Sequence, residues 1–294
     1  MPAFCCLNGK IIPTKDAGVN VYDTGLLRGF GIYEALMTYN RSPFRLDDHL
    51  NRFRRSAAEL VLKIPAADAE ITSVIHELIK RNISEGKEAV IRFILTGGQA
   101  IGGIEYEFER PTFYILVEEF NLLDALYYTR GCSLTLYEHQ RQFPECKTTN
   151  YIQAVLLQNE RRQAGALEIL YTSKGTVLEC ATSNFFIVKS GVIATAKEGI
   201  LEGITRRVVI ELATPHYRLE ERPISVDEMF AADEAFLTSS FKDVVPVVKV
   251  GGRGIGVGTV GPVSKRVMEL FHGYTHAYGL ASFSSRDARA MMSN

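Results

Sequence analysis

What the chain lacks narrows its reading first. It has no Trp and no excess of either charge: 33 Lys and Arg stand against 34 Asp and Glu over 294 residues, a net charge of −1. Binding to a nucleic acid backbone draws on a basic excess that releases counterions, so no nucleic acid partner is expected. No apolar run reaches the roughly 18 residues that a membrane-spanning helix needs, so no membrane partner is expected either. The opening Met1-Pro-Ala-Phe-Cys-Cys6 has no basic segment and no long apolar stretch, unlike a secretory signal. Cysteines are few and odd in number: Cys5, Cys6, Cys132, Cys146 and Cys180, with no C-x-x-C pair. That pattern suggests neither a disulfide framework nor structural zinc, and a cytoplasmic location with reduced thiols is the expectation. The six His residues form no H-E-x-x-H or H-x-H, so no metal site is expected. What is present is a composition of 46% hydrophobic and 23% charged residues, enough to bury one large core or two modest ones.

Residue patterns organise the chain. Asn8-Gly9, the dipeptide a type I′ turn prefers, separates two short β-rich runs and predicts a hairpin. A β-rich run follows at Tyr33–Tyr39, then a short strand at Phe44–Leu46. Asp47 reads as the N-cap of a helix with Leu50, Phe53, Ala57 and Leu60 on one face. A second helix is predicted over 67–84 and strands near 89–96 and 112–118. The polar, turn-prone 121–131 reads as a junction, giving an N-terminal domain over 1–120, an interdomain loop over 121–131 and a C-terminal domain over 132–294. After it come a strand at Ser133–Glu138, a helix over about 151–163 and three short strands near 168–171, 177–181 and 184–188. Their quick succession predicts meandering antiparallel sheet, and helices near 205–213 and 263–272 flank a strand at Ala235–Thr238. The fold class expected is α+β in two domains.

Several segments bear on chemistry. Gly25, Gly29 and Gly31 do not make G-x-G-x-x-G, and a strand follows where a dinucleotide site needs a helix. The glycines of 251–261 lack the Gly-Lys-Ser/Thr of a P-loop and read as loop glycines. Gly203-Ile204-Thr205 opens an apolar-periodic helix, where free N–H groups and the positive dipole end suit a phosphate. Alone, it is also what an ordinary capped helix looks like. Thr238-Ser239-Ser240 puts hydroxyls just past a strand end. Lys147 is the only Lys between Lys87 and Lys174 and precedes an apolar helix, where a lysine of lowered pKa can form a Schiff base. Glu179, flanked by Leu178 and Cys180 on a strand, is expected to be semi-buried and to need a partner: a pyridinium nitrogen, an Arg or backbone N–H groups.

Taken in order, these segments resemble the class IV aminotransferases, the fold-type IV family of pyridoxal 5'-phosphate enzymes. The resemblance runs from Asn8-Gly9 to about Leu270. It rests on Arg-Gly-Phe-Gly-Ile-Tyr-Glu (28–34), Asp-His-Leu-Asn-Arg (48–52), Lys-Thr-Thr-Asn (147–150), Leu-Glu-Cys-Ala-Thr-Ser-Asn-Phe-Phe (178–186), Gly-Ile-Thr-Arg (203–206) and Thr-Ser-Ser-Phe-Lys-Asp-Val-Val-Pro-Val (238–247). It implies a small N-terminal α/β sandwich domain and a larger C-terminal pseudo-barrel domain that binds the cofactor. Carried over to these positions, Lys147 would hold the cofactor as a Schiff base and move the substrate proton, and Glu179 would bond the pyridine nitrogen. Arg52, Ile204, Thr205 and Ser240 would hold the phosphate, with Tyr151 also in the cofactor site. Arg28, Tyr33, Arg92 and Ser239 would line the substrate pocket. The partners implied are a small amino acid and a 2-oxo acid, and a homodimer in which a loop of the second subunit completes the site.

Within the family the motifs divide. Lys-x-x-Asn and the Tyr33-Glu34 pair resemble D-amino-acid aminotransferases and aminodeoxychorismate lyase. The Arg-x-His with which D-amino-acid enzymes bind the substrate carboxylate is missing, since that place reads Thr96-Gly97-Gly98-Gln99. Ala89-Val-Ile-Arg92-Phe instead resembles the Tyr-Ile-Arg strand of branched-chain enzymes. The leading expectation is a D-amino-acid transaminase with Arg28 or Arg92 as the carboxylate anchor, with branched-chain aminotransferase and the lyase as alternatives.

Overall fold

In the strands Gly31–Tyr39, Ala89–Thr96 and Thr112–Glu119 the core residues fall on alternate positions: Ile32 and Leu36, Ile91, Phe93 and Leu95, Phe113, Ile115 and Val117. Such alternation directs one face of a sheet to a common core. In the computed structural model, which describes the backbone of residues 1–292 and side chains to Gly279, these three strands are the centre of an antiparallel sheet. Its six strands run in the order Lys10–Pro13, Phe4–Leu7, Thr112–Glu119, Ala89–Thr96, Gly31–Tyr39, Ser42–Pro43. The helices Leu46–Glu59 and Asp68–Asn82 bury Leu50 and Phe53, and Ile71, Ile75 and Leu78, against that face. Phe53 meets Phe93 edge-on at 5.0 Å between ring centroids, an arrangement aromatic quadrupoles favour.

The helix after this sheet begins at Leu46, not after Asp47. Arg45 is its N-cap residue, in the left-handed conformation, and its side chain pairs with Asp48. Thus Phe44–Leu46 is a corner where a strand was expected.

This first unit comprises Met1–Asn121, Cys146–Asn150 and the chain from Thr275 on; Leu122–Glu145 and Tyr151–Tyr274 form the second. The second holds a ten-stranded sheet whose path begins at Leu219–Glu221 and ends at Ile224–Ser225. Only Arg222 and Pro223 separate these two edge strands in the chain, so the sheet curls until its ends approach, which is the pseudo-barrel. Of the three strands expected to meander, Glu168–Ser173 and Thr176–Cys180 do pair antiparallel. Asn184–Lys189 pairs with Val192–Thr195 and Glu234–Ser239 instead. Strand Cys132–Glu138 pairs in parallel with both Glu168–Ser173 and Asp243–Val250, so the sheet is mixed. A parallel pair needs a crossover, and residues 139–167 supply one. The helix expected over 151–163 is two short ones, Ile152–Leu156 and Gln158–Gln163. The last helix is longer than expected, Pro262–Met292. The fold is α+β with two domains.

Candidate active site

In the first unit, residues 147–149 add to the free edge of strand Gly31–Tyr39. Tyr33 N–H donates to Lys147 O, and Thr149 N–H to Gly31 O, both at 2.9 Å. Ile32 lies opposite Thr148 in this antiparallel pairing, which puts Lys147 opposite Tyr33. The Lys147 ammonium is 4.5 Å from the Tyr33 ring centroid. Gly31 keeps this approach close, because a Cβ there would crowd Leu95 O at 3.0 Å and Thr149 Oγ1 at 3.2 Å.

The next residue, Glu34, points to the helix side. It is fully buried with His49 and Arg52 of helix Leu46–Glu59. Arg52 Nε donates to Glu34 Oε1 at 2.7 Å and Arg52 Nη2 to Oε2 at 2.8 Å, and His49 Nδ1 lies 2.7 Å from Oε2. Burial alone would raise the Glu34 carboxyl, but the Arg52 charge and the hydrogen bonds from Arg52 and His49 hold it well below the usual carboxylate range. An ionised carboxylate only accepts, so His49 carries its proton on Nδ1. Burial lowers the His49 pKa, and the charges of Arg52 and Lys147 lower it further against the opposing pull of Glu34. The i, i+3 spacing of His49 and Arg52 is the sequence signal that could have found His49.

The two arginines expected at the substrate lie apart. Arg92 stands opposite Ala35, and Tyr33 opposite Ile94, so Arg92, Tyr33 and Lys147 share the sheet face away from the helices. Arg92 pairs with Glu118, and both are about one-third exposed. Arg28 ends the short helix Thr24–Arg28 and is exposed, donating to Leu27 O at 2.9 Å and to Gly103 O at 3.3 Å.

In the second unit Glu179 is buried on strand Thr176–Cys180. Its Oε1 accepts from Arg141 and, at 3.0 Å, from Leu201 N–H; its Oε2 accepts from Asn184 Nδ2 at 3.3 Å. Of the partners left open for this acid, the structure provides an arginine and a backbone amide. Arg141 gives no sequence signal of its own. Asn184 also donates to Leu201 O at 2.8 Å and fills the space over Gly203, where a Cβ would come within 2.0 Å of Asn184 Oδ1. Gly203 is the N-cap residue of helix Ile204–Ala213, and its missing side chain leaves the helix end without a side-chain cap. Ile204 and Thr205, its first residues, are buried. A buried helix end normally finds partners for its first N–H groups, and an anion is one such partner. Ser239 and Ser240 sit where strand Glu234–Ser239 runs into its turn, and the Ser239 hydroxyl is buried with no hydrogen-bond partner among the described residues. Tyr151 is half-buried against the cluster of Ala154, Leu157, Ile169, Tyr171 and Ala181.

The amino-transferase class IV family model matches residues 31–250, a span that takes in both arrangements. The chain belongs to the class IV aminotransferases. It is similar to a putative branched-chain-amino-acid aminotransferase of Methanocaldococcus jannaschii, at 32% identity over 93% of this chain and 97% of that one. It is also similar to the D-alanine aminotransferase of Bacillus licheniformis, at 30% identity over 88% and 93%. The branched-chain amino acid aminotransferase of Escherichia coli superposes with a TM-score of 0.86 at 26% identity, over 93% of this chain and 94% of that one. The branched-chain amino acid aminotransferase of T.th., solved with pyridoxamine 5'-phosphate, gives 0.86 at 28%, over 94% and 95%.

Class IV aminotransferases use pyridoxal 5'-phosphate, and this chain is a pyridoxal-phosphate aminotransferase of fold type IV. Its residues fit that group. In the second unit, the uncapped, buried helix end and the Ser239 hydroxyl, unpartnered among the described residues, suit a phosphate dianion; in the first unit, Lys147 offers a primary amine. Among the described residues no group of three or more His, Cys, Asp or Glu could hold a metal ion, and no helix is long and apolar enough to cross a membrane.

Proposed function

We propose that this aminotransferase takes D-amino acids such as D-alanine or D-glutamate as donors and a 2-oxo acid such as 2-oxoglutarate as acceptor. The observation that carries the reading is the apposition of Lys147 and Tyr33, the Tyr of a Tyr-Glu pair, on one sheet face. Lys147 would hold the cofactor covalently, and its Nζ is the group that would take the proton from the substrate Cα. When bound, pyridoxal phosphate supplies an electron sink for the electrons that this proton leaves behind. Glu179 bonds the ring nitrogen through its less occupied Oε2, while Arg141 and Leu201 N–H fix the carboxylate plane. The Ile204 and Thr205 N–H groups and the Ser240 hydroxyl bind the phosphate, with charge from Arg52, whose guanidinium plane Glu34 fixes. Tyr151 completes the cofactor contacts, and Tyr33 and Ser239 border the substrate.

A homodimer belongs to this reading. Val21, Tyr22 and Leu26, near Arg28 in the chain, and Ile101 and Ile104, beside the Gly103 that Arg28 reaches, are exposed in the first unit. In the second unit Ile152, Val155 and Leu156 are exposed at helical i, i+3, i+4 spacing. Exposed apolar patches of this kind mark protein–protein contacts, and the segment bearing Arg28 would complete the partner's site. All five cysteines are free, buried thiols, in keeping with a reducing cytoplasm.

A branched-chain L-amino-acid aminotransferase is the second reading, favoured by Arg92 sharing the face of Lys147 and Tyr33. Turnover of D-alanine, D-glutamate and L-leucine with 2-oxoglutarate decides between the two. The D-donors are expected to dominate, and L-leucine as the best donor would install the branched-chain reading. Pyruvate release from 4-amino-4-deoxychorismate with no 2-oxo acid acceptor would instead identify the lyase.

A further inference from the structure

Just past Ser239 and Ser240, Lys242 turns inward. Its ammonium is 2.9 Å from Glu168 Oε1, 2.8 Å from Thr182 Oγ1 and 3.3 Å from Ser183 Oγ. Those three oxygens use all three of its protons. The Thr182 hydroxyl donates to the same Glu168 oxygen, as does that of Ser183 at 3.1 Å, and Ile169 N–H reaches Oε2 at 3.3 Å. The side chain of Lys242 is 17% exposed and that of Glu168 5%. From the outside, Tyr128 donates its hydroxyl to Lys242 O at 3.2 Å.

An ion pair this buried is a weak source of stability, because desolvation offsets most of its attraction; its better-attested use is to fix register. Here it ties two turns that carry different parts of the site to the end of a third strand. Lys242 lies in the turn after Ser239 and Ser240. Thr182 and Ser183 form the turn between Glu179, on strand Thr176–Cys180, and Asn184, which bonds Glu179. Glu168 opens the neighbouring strand Glu168–Ser173. Neither Lys242 nor Glu168 is assigned to cofactor or substrate contact in the function proposed above.

We infer that Lys242 is a positioning residue for cofactor retention: through Glu168, Thr182 and Ser183 it holds the Ser239-Ser240 turn in register with Glu179, so that phosphate and ring are gripped at a fixed separation. This rests on the reading in which Ser240 binds the phosphate and Glu179 the ring nitrogen. A ligand that lacks one of those two ends does not depend on the register.

The test measures pyridoxal phosphate release from the holoenzyme into a trap, and the affinity of the cofactor-depleted enzyme for pyridoxal phosphate and for pyridoxal. The variants are Lys242→Met/Glu168→Gln, which removes both charges together, Thr182→Val, Thr182→Ser and Ser240→Ala. Losing a charge-assisted bond that orients the turn is expected to speed release about tenfold in the double variant and in Thr182→Val. Thr182→Ser, which keeps the hydroxyl, should match the parent, and pyridoxal affinity should stay within about twofold throughout. Equal losses for pyridoxal and pyridoxal phosphate would mean general damage to the fold and overturn the inference. Parental release rates in the double variant and Thr182→Val, alongside faster release in Ser240→Ala, would overturn the positioning role and leave the phosphate reading standing. A parental rate in Ser240→Ala would remove the phosphate reading, and the inference with it.

Discussion

The Lys147 ammonium lies 4.5 Å from the centroid of the Tyr33 ring, across an antiparallel pairing of 31–33 with 147–149. The electron-rich ring face attracts the cation, a contact worth roughly 0.5–2 kcal/mol depending on exposure. The two backbone hydrogen bonds, at Lys147 O and Thr149 N–H, fix the chain that leads on from Lys147 independently of its side chain, so the amine projects from an anchored backbone.

Lys147→Ala is therefore expected to fold with the parental circular dichroism spectrum and to lose no more than a few degrees in melting temperature, the share of the Tyr33 contact. Borohydride should no longer attach the cofactor to the protein, as read by mass spectrometry of the intact chain. Losing a positioned general base costs about 10²–10⁴ in rate. A cofactor-saturated Lys147→Ala enzyme that keeps more than a tenth of parental turnover would refute the assignment.

Much of the fold could be read from residue pattern, and the failures have local causes. The alternation in 89–96 and 112–118 and the apolar stripe of 67–84 were sufficient for strands and helix, because each buries one regular face. Strand Asp243–Val250 was legible only as a motif. Pro246 has no N–H to give a ladder and normally argues against an interior strand; here the pairing with Cys132–Glu138 starts only at Val247 and is irregular between Val247 and Lys249. The site was legible as residue types, but not as neighbours. Nothing local in Cys146-Lys-Thr-Thr-Asn150 says that it pairs with 31–33, and nothing around Arg141 says that it will meet Glu179. Contacts distant in sequence come from the topology, which one chain's pattern does not encode residue by residue.

The Glu34–His49–Arg52 cluster sets a pH dependence of stability. In the unfolded chain His49 takes up a proton near pH 6.5, but in the folded protein burial and two neighbouring cations hold it neutral to lower pH. The unfolded state then binds more protons, so stability is complete above about pH 6.5 and falls as the pH drops below it, approaching about 1.4 kcal/mol per pH unit. Glu34, held ionised far below its unfolded range, adds a loss of the same sign below about pH 4.3. Melting temperatures between pH 8 and 5 should show the slope in the parent and a flatter one in His49→Gln. Glu34→Gln should be destabilised by about 3–5 kcal/mol at pH 7.5, since it strands the buried Arg52 charge.

Gly203→Ala tests the second unit sterically. The backbone at Gly203, φ −65° and ψ 137°, suits any residue, so the only obstacle is the Cβ 2.0 Å from Asn184 Oδ1. Asn184 is bonded to Leu201 O and Glu179 and cannot swing away without releasing one of them. Overpacking of this kind costs about 1–3 kcal/mol. The cofactor should dissociate faster in Gly203→Ala, and its visible absorption should respond differently to pH once Glu179 is displaced. Glu179→Gln should instead retain the cofactor and slow exchange of the substrate Cα proton. Parental proton exchange in Glu179→Gln would assign the ring nitrogen to another group.

The substrate carboxylate separates the two arginines. A carboxylate entering a partly desolvated pocket needs a cation, and Thr96-Gly97-Gly98-Gln99 supplies none. Arg92 already has Glu118 as counter-charge, and the pair is a third exposed, so removing Arg92 frees an acid that water can solvate. Among the described residues Arg28 bonds to two backbone carbonyls, Leu27 O and Gly103 O, and keeps its full charge available to an anion. Arg28→Ala is therefore expected to lower kcat/KM about thirty-fold or more, the low end for removing one member of a desolvated charge pair. The loss should be equal for D-alanine and D-glutamate, because every donor carries the α-carboxylate, and the bound cofactor's spectrum should not change. Arg92→Ala should change kcat/KM for D-alanine by less than about fivefold, in keeping with a surface ion pair. A loss under Arg92→Ala confined to dicarboxylic substrates would show Arg92 reading the side chain, which is what the branched-chain reading requires. An equal loss for all donors under Arg92→Ala, with Arg28→Ala silent, would move the α-carboxylate to the face of Tyr33 and Lys147.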